Sequence, residues 1–577
     1  MADRLAKQTH GGPDLSVSFT HPMVLRRQGP LGTWYANGIA AEDLEQLAVA
    51  VDPLAAGDRL CRRVRDASVV FVARTSRSVT GVTAWKGLMA TNEVFYVSGP
   101  DGGWIITDHF RNAISSLPVA ERAMSDAALL EHYVSAAVFD RLTYSRGVDR
   151  LRNGDRCDID MVSGVVAIDV FSRHQSTATD EPMDRHLARL DGAFEDVVGS
   201  FREVDALGVG FSGGVDSTLL LSYLGATGTP ITMLPGSAEF DVETEYARQA
   251  SRLLGRTVEE LRLDESDYLR RLEETIETTG TPVDSYITPV MAALFEHPSS
   301  TFVVGEAADS VFGSGRGIRR VASALSGASG RALLRALSHA PGTLGRRSQQ
   351  LGDYATLFAE PADSPDGYAG RSLEYYGDNS ITYRIFGNEA ITDYYRHLLQ
   401  GVHDRVDIEV PENDRFFRHI EMTQWRYLFA DLAILGNHTA QALGKRQVQP
   451  FQSWRVVAEH LKVPARERYV RGLTGKWMIK ELLSRRVPEY QVNKRKLATG
   501  LPFLRYYANG PLTDFWDRYE IPDVIPAALR DELITKPTAV TWKAMTHAIW
   551  LDRVVNNESL QPVAASVADD WSLTTVT

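Results

Sequence analysis

Residues 206–224 constrain the fold of this chain more than any other stretch. An apolar run from Ala206 to Phe211 reads as a buried parallel strand. Ser212-Gly213-Gly214-Val215-Asp216-Ser217 then turns the chain, and the apolar run 219–224 starts a helix. Strand, glycine turn and helix aim backbone N–H groups and a helix N-terminus at an anion. The glycines let the backbone approach that anion closely. Ser212 and Ser217 add hydroxyl donors, and the Asp216 carboxylate is placed to hold a metal beside phosphates. The turn lacks the Gly-Lys-Ser/Thr ending of a Walker loop.

The rest of the chain places this turn in an α/β half. A helix over 185–203 leads into it. A strand at 230–234, a helix at 241–254 and a strand at 301–304 follow, an alternation that predicts a parallel sheet. From about residue 316 the pattern is mainly helical. The first 180 residues read differently. Short strands at 68–74, 94–98, 103–107 and 164–171, a turn at 99–102 and a helix at 125–140 predict an α+β layer with much antiparallel sheet. Residues 174–184 read as a polar linker. At 577 residues, two domains are expected. The divisions are a flexible 1–20, a first domain at 21–180, a second at 185–560 and a flexible tail at 561–577.

Bulk properties exclude several classes. A net charge of −12 argues against a general nucleic-acid binder. The two cysteines, Cys61 and Cys157, have no zinc-ligand spacing and form no disulfide framework. No apolar run reaches the length of a membrane span, and the start carries no signal-peptide pattern. The expected compartment is the cytoplasm, with no membrane and no nucleic-acid partner.

A second glycine turn ends the 301–304 strand: Gly305-Glu306-Ala307-Ala308-Asp309-Ser310-Val311-Phe312-Gly313. Asp309 would complete a Mg²⁺ site with Asp216, and Glu306 would face the reacting carbon and take a proton from an attacking amine. The plainer reading is acidic residues placed for a helix dipole. Thr232 and Leu234 lie at the carboxyl end of their strand, where α/β sheets bind nucleotides. Further on, an amphipathic helix starts at Gly475-Lys476, and a cationic cluster, Asn493-Lys494-Arg495-Lys496, precedes Gly500. Such a cluster suits a developing negative charge.

In their order and spacing these segments resemble the asparagine synthetase family. The likeness is good over about 200–315 and 420–505 and weaker over 60–180. It implies an N-terminal glutaminase-like αββα domain of the N-terminal-nucleophile type. It also implies a C-terminal parallel-sheet domain of the ATP pyrophosphatase type with a helical extension. By position, Ser212, Gly213, Gly214 and Ser217 correspond to pyrophosphate ligands, and Asp216 and Asp309 to Mg²⁺ ligands. Phe211, Thr232 and Gly305 correspond to adenosine contacts, Glu306 to a catalytic glutamate, and Lys496 to the lysine of acyl-adenylate formation. The implied cofactors are ATP and Mg²⁺.

Departures from the family narrow the expectation. Members that hydrolyse glutamine begin Met-Cys; this sequence begins Met1-Ala2-Asp3, and neither cysteine lies near the start. A glutaminase fold without glutaminase activity is expected, with the amine carried by the substrate. Branches of this kind resemble lasso-peptide macrolactam cyclases, or β-lactam and carbapenam synthetases. The lactam synthetases place a tyrosine where Glu306 stands, which favours the peptide cyclase. Such an enzyme implies a peptide substrate, a leader-recognition protein and a leader peptidase. The alternative is a small-molecule cyclase or an ammonia- or amine-dependent amide ligase. A dead scaffold is disfavoured by the intact Asp216, Glu306, Asp309 and Lys496. Pro450-Phe451-Gln452-Ser453 departs from the family's Pro-Phe-Leu-Asp, so a substrate other than aspartate is expected.

Two features stay open. Seven arginines lie between Arg316 and Arg347, and the first acidic residue after them is Asp353. They make either a solvated face or a basic lid or docking surface. The aromatics Tyr375, Tyr376, Tyr383, Phe386, Tyr394, Tyr395, Phe416, Phe417, Trp425 and Tyr427 either line a substrate cavity or fill helical core.

Overall fold

A computed structural model describes residues 15–75, 78–99, 103–235, 241–283, 285–313, 317–359, 380–430, 434–493 and 502–571. The first half is built on two sheets. One contains β1 (Leu15–Phe19), β6 (Phe95–Ser98), β7 (Trp104–Thr107), β8 (Asp149–Arg150) and the chain's last strand, β18 (Val567–Trp571), in the order β18-β1-β7-β6-β8. The other is antiparallel. It contains β2 (Leu25–Gln28), β3 (Gly32–Asn37), β4 (Ser68–Arg74), β5 (Val79–Lys86), β9 (Asp155–Asp160) and β10 (Val166–Val170), in the order β10-β9-β5-β4-β3-β2.

Alternation explains the stacking of these sheets. Val17 of β1 and Ile106 of β7 meet Val70 and Val72 of β4 and Val82 of β5 in one core. The opposite side chains of the antiparallel sheet, among them Trp34, Phe71 and Trp85, pack under the helices Ala41–Ala48 and Pro53–Arg63. The outer face of the other sheet buries Phe95 and Val97 against the helices Phe110–Ser115, Tyr268–Thr279 and Ala539–Trp550. The two halves of the chain therefore share a core.

Within the segments expected to be loose, 1–20 and 561–577, the described residues include β1 and β18. β1 and β18 pair antiparallel, Leu15 opposite Trp571 and Phe19 opposite Val567. Asp569 accepts a hydrogen bond from Arg26 Nε at 2.6 Å and another from the Tyr35 hydroxyl. This carboxylate ties the last strand to the second sheet.

The second half holds a five-stranded, all-parallel sheet. Its strands are β11 (Leu207–Gly210), β12 (Thr229–Pro235), β13 (Glu259–Leu263), β14 (Thr301–Val303) and β15 (Arg446–Val448), in the order β13-β12-β11-β14-β15. The chain starts in the middle, builds outward through β12 and β13, then crosses to the other side of β11. The order reverses between β11 and β14. Ligands of open α/β sheets bind at the carboxyl ends of the strands flanking such a reversal.

After a polar first turn, the helix Val215–Leu224 is mostly apolar, and Leu219, Leu220, Leu221, Tyr223 and Leu224 are all buried. Such a helix belongs inside a protein. The helix Trp477–Arg486 covers it with Met478, Ile479, Leu482 and Leu483 in the same core. Each buried leucine contributes roughly 1.5–3 kcal/mol over an exposed one. Among the described residues no helix is long and apolar enough to cross a membrane.

A buried lysine joins the two halves. Lys543 donates from Nζ to the carbonyls of Tyr133 (2.8 Å) and Val134 (3.0 Å), at the end of the helix Asp126–Ser135. Burial lowers its pKa to about 7 from 10.5. The unfolded chain therefore holds more protons than the folded one between these values, and stability from this residue rises with pH across that window. Chemical denaturation at several pH values should show this rise, and Lys543→Met should flatten it. An unchanged pH slope in the variant would contradict the assignment.

Candidate active site

The site forms at the order reversal. Beyond β11, Phe211 donates its N–H to the Ile231 carbonyl at 2.8 Å, which keeps the turn in register with β12. The Ser212 hydroxyl accepts from the Gly214 N–H (3.3 Å) and lies 3.4 Å from the Ser217 hydroxyl. The Tyr490 hydroxyl donates to the Gly213 carbonyl at 2.7 Å and holds the turn from outside. Gly213 has φ +69°, and a Cβ there would fall 2.5 Å from the Tyr246 carbonyl. No L-residue side chain fits that position without moving backbone. Gly213→Ala should lower nucleotide affinity at least about tenfold, read by equilibrium binding of ATP; unaltered affinity would mean that the turn does not cradle phosphate.

The second turn leaves β14 beside the first. A Cβ on Gly305 would approach the Asp216 Cβ to 3.3 Å, so glycine lets the two turns come together. Glu306 follows, exposed, and Ala307 then takes a left-handed conformation (φ 64°). That reversal places Asp309 in the first turn of the short helix Ala308–Phe312.

The structure adds a residue to which sequence reasoning gave no role. Lys476 lies 2.8 Å from Asp216 Oδ2 and 2.7 Å from Asp309 Oδ1, and so bridges the two candidate metal ligands. Burial disfavours its charge, but the two carboxylates outweigh burial and raise its pKa. Lys480, one helical turn on, has its pKa lowered by burial and then by the charge of Lys476. One signal in the sequence pointed to Lys476: a lysine just before a helix opposes the helix dipole. The structure adds a left-handed backbone at that residue (φ 51°). Such local violations concentrate at functional sites.

The other expected residues divide. Ser212, Gly213, Gly214, Asp216, Ser217, Gly305 and Asp309 converge. Thr232 and Leu234 are buried on β12, the strand next to β11. The Phe211 side chain is packed into the core, so only its backbone can meet a ligand. Lys496, with Lys494, lies outside the described residues, as does the end of the turn after Leu234. The aromatics Tyr394, Tyr395, Phe416, Phe417 and Trp425 are buried core residues rather than cavity walls. Tyr375 and Tyr376 lie outside the described residues.

The donor set fits a magnesium–phosphate complex. Among the described residues no group of three acidic, histidine or cysteine side chains forms a ready cage. Mg²⁺ bound with a nucleotide needs only one or two protein carboxylates. Asp216 Oδ1 is buried without a hydrogen-bond partner, a costly state that a cation would relieve.

Fold and site together suit an α/β enzyme that holds phosphates at strand ends. Residues 190–540 match the asparagine synthase family, and the chain belongs to that family. Its activity is in general that of an ATP-dependent amide-bond ligase, and the family uses ATP, typically with Mg²⁺. No curated protein matches the sequence.

Proposed function

We propose that this ligase is a peptide cyclase. It activates a side-chain carboxylate of a peptide as an acyl-adenylate and closes a macrolactam with the peptide's own N-terminal amine. The observation that carries this reading is the state of the two cysteines. Both are buried. Burial pushes the Cys61 thiol far above its usual range, and burial with nearby carboxylates pushes Cys157 up to about 12. A nucleophilic cysteine must be accessible and partly ionised. Neither thiol has the exposure or the ionisation of a glutaminase nucleophile, and in this reading the substrate brings its own amine.

In the first step a substrate carboxylate oxygen attacks the α-phosphorus of ATP, and the bond to pyrophosphate breaks. The 212–217 turn donates N–H and hydroxyl hydrogens to the departing phosphates, and Lys476 supplies a positive charge beside them. Bound Mg²⁺ would supply further charge neutralisation, held by Asp216 and Asp309. In the second step the amine nitrogen bonds to the acyl carbon, and the bond to AMP breaks. Glu306 accepts the amine proton. The peptide loses one water in all. A recognition protein that presents the peptide and a peptidase that frees its amine would complete the system.

The test supplies the full chain with ATP, Mg²⁺ and linear peptides bearing a free N-terminus and an internal Asp or Glu. AMP, pyrophosphate and a product lighter by one water are expected. Pyrophosphate release with aspartate and ammonium alone would instead make it a small-molecule ligase.

A further inference from the structure

The arginine-rich segment folds into three helices: Gly317–Ala324, Ala328–Ser338 and Gly342–Leu357. The last two make a helical hairpin. Its shared interior is small: Ala322, Leu334 and Ala355 are buried, with Leu325 and Leu351 beside them. The middle helix is oriented unexpectedly. Ser329, Ala332, Leu333, Ala336 and Leu337 follow the spacing of a core-facing stripe, yet all five are exposed. Leu333 is 53% exposed and Leu337 36%. The next helix carries exposed Leu344, Arg346 and Arg347, and on the middle helix Arg335 lies beside Ala332 at the margin of the stripe. Among the described residues nothing covers this face.

Charge says what kind of partner fits. Residues 316–352 carry seven arginines and no acid, in a chain whose net charge is −12. A leucine stripe on an arginine-rich arm complements an acidic amphipathic helix. An anionic membrane would instead meet the excess negative charge of the remaining chain.

The arm also touches the hairpin that leads into the site. Arg320 donates from Nη1 to the Gly472 carbonyl at 2.7 Å, and its guanidinium lies 5.6 Å from the centre of the Phe417 ring. Gly472 lies between the two strands of the hairpin Val470–Arg471 and Thr474–Gly475, which delivers Lys476. At its start, the arm follows the Gly305–Gly313 turn in sequence.

We propose that the exposed Leu333–Leu337 face docks an acidic, apolar-striped segment of the peptide substrate, apart from the residues that react. The inference rests on the reading of the substrate as a peptide. Tethering one segment here raises the local concentration of the reacting carboxylate and amine at the two turns.

Binding can be read without turnover. The probe is a fluorescein-labelled peptide of about five helical turns, with leucines at helical spacing and glutamates elsewhere. Anisotropy with the full chain should show binding that weakens about tenfold as salt screens the charges. Leu333→Asp/Leu337→Asp should weaken it at least about tenfold, and so should the charge reversal Arg335→Glu/Arg346→Glu. These positions are exposed, so the thermal midpoint should stay unchanged. Equal binding of a lysine-for-glutamate peptide, insensitivity to both variants, or binding only to phosphatidylcholine–phosphatidylglycerol vesicles would overturn the proposal. Probe binding without cyclisation of any peptide would leave docking standing and remove the cyclase reading. Cyclisation with the same KM in both variants would do the reverse.

Discussion

Asp216→Asn should reduce pyrophosphate release about 10³-fold or more, the order lost when a site loses a charge aimed at the transition state. That corresponds to about 4 kcal/mol of barrier. The substitution keeps the shape of the side chain, so the turn around Gly213 should fold as before. What it removes is one negative charge at the point where Lys476 and the unpartnered Oδ1 meet. Asparagine can still offer an oxygen, but as a neutral ligand it holds Mg²⁺ more weakly. Asp309→Asn should cost less, because the Asp309 side chain is 54% exposed against 20% for Asp216, and water screens its charge. The measurement is pyrophosphate release at saturating ATP across a magnesium series. A rate within tenfold of the parent for Asp216→Asn, at any magnesium concentration, would mean that the reaction does not take place at this turn.

The elements nearest this turn were the legible ones, for a physical reason. β11 and the helix Val215–Leu224 are largely buried, and they read as apolar runs on either side of a glycine pair. β14 and the Gly305 turn share that signature. The edges of the same sheet did not. β13 is Glu-Glu-Leu-Arg-Leu, an outer strand with only Leu263 fully buried, and its charges hide the strand pattern. β15 has three residues, too few for any period to show. In the first half, β4 and its apolar core face were readable, but β1 and β18 are held by each other and by Asp569, a pairing between the two ends of the chain. Local patterns carry no trace of a partner more than 500 residues away. Aromatics at helical spacing posed the opposite problem. Tyr395 and Trp425 read equally as cavity or core, and burial decided for core.

Lys476 marks the limit of sequence reading at the site, because its role comes from two carboxylates on other elements. Lys476→Met should lower pyrophosphate release about 10²–10³-fold, since the phosphates lose a buried cation. A loss of rate alone would not separate this role from a structural one, so a second readout is needed. Lys476 now neutralises Asp216 and Asp309 together. Without it, the two carboxylates lose the cation that bridges them, and among the described residues only Lys480 is left to act on Asp216. Like charges so placed repel, and one of them takes up a proton or a cation more readily. The variant should therefore bind Mg²⁺ or Mn²⁺ without nucleotide, while the parent chain should bind the same ion weakly until ATP brings its own phosphates. Titration calorimetry with Mn²⁺ alone, on both proteins, reads the difference directly. Equal Mn²⁺ affinity in the two, together with an undiminished rate, would show that the bridge does not govern the charge of the site.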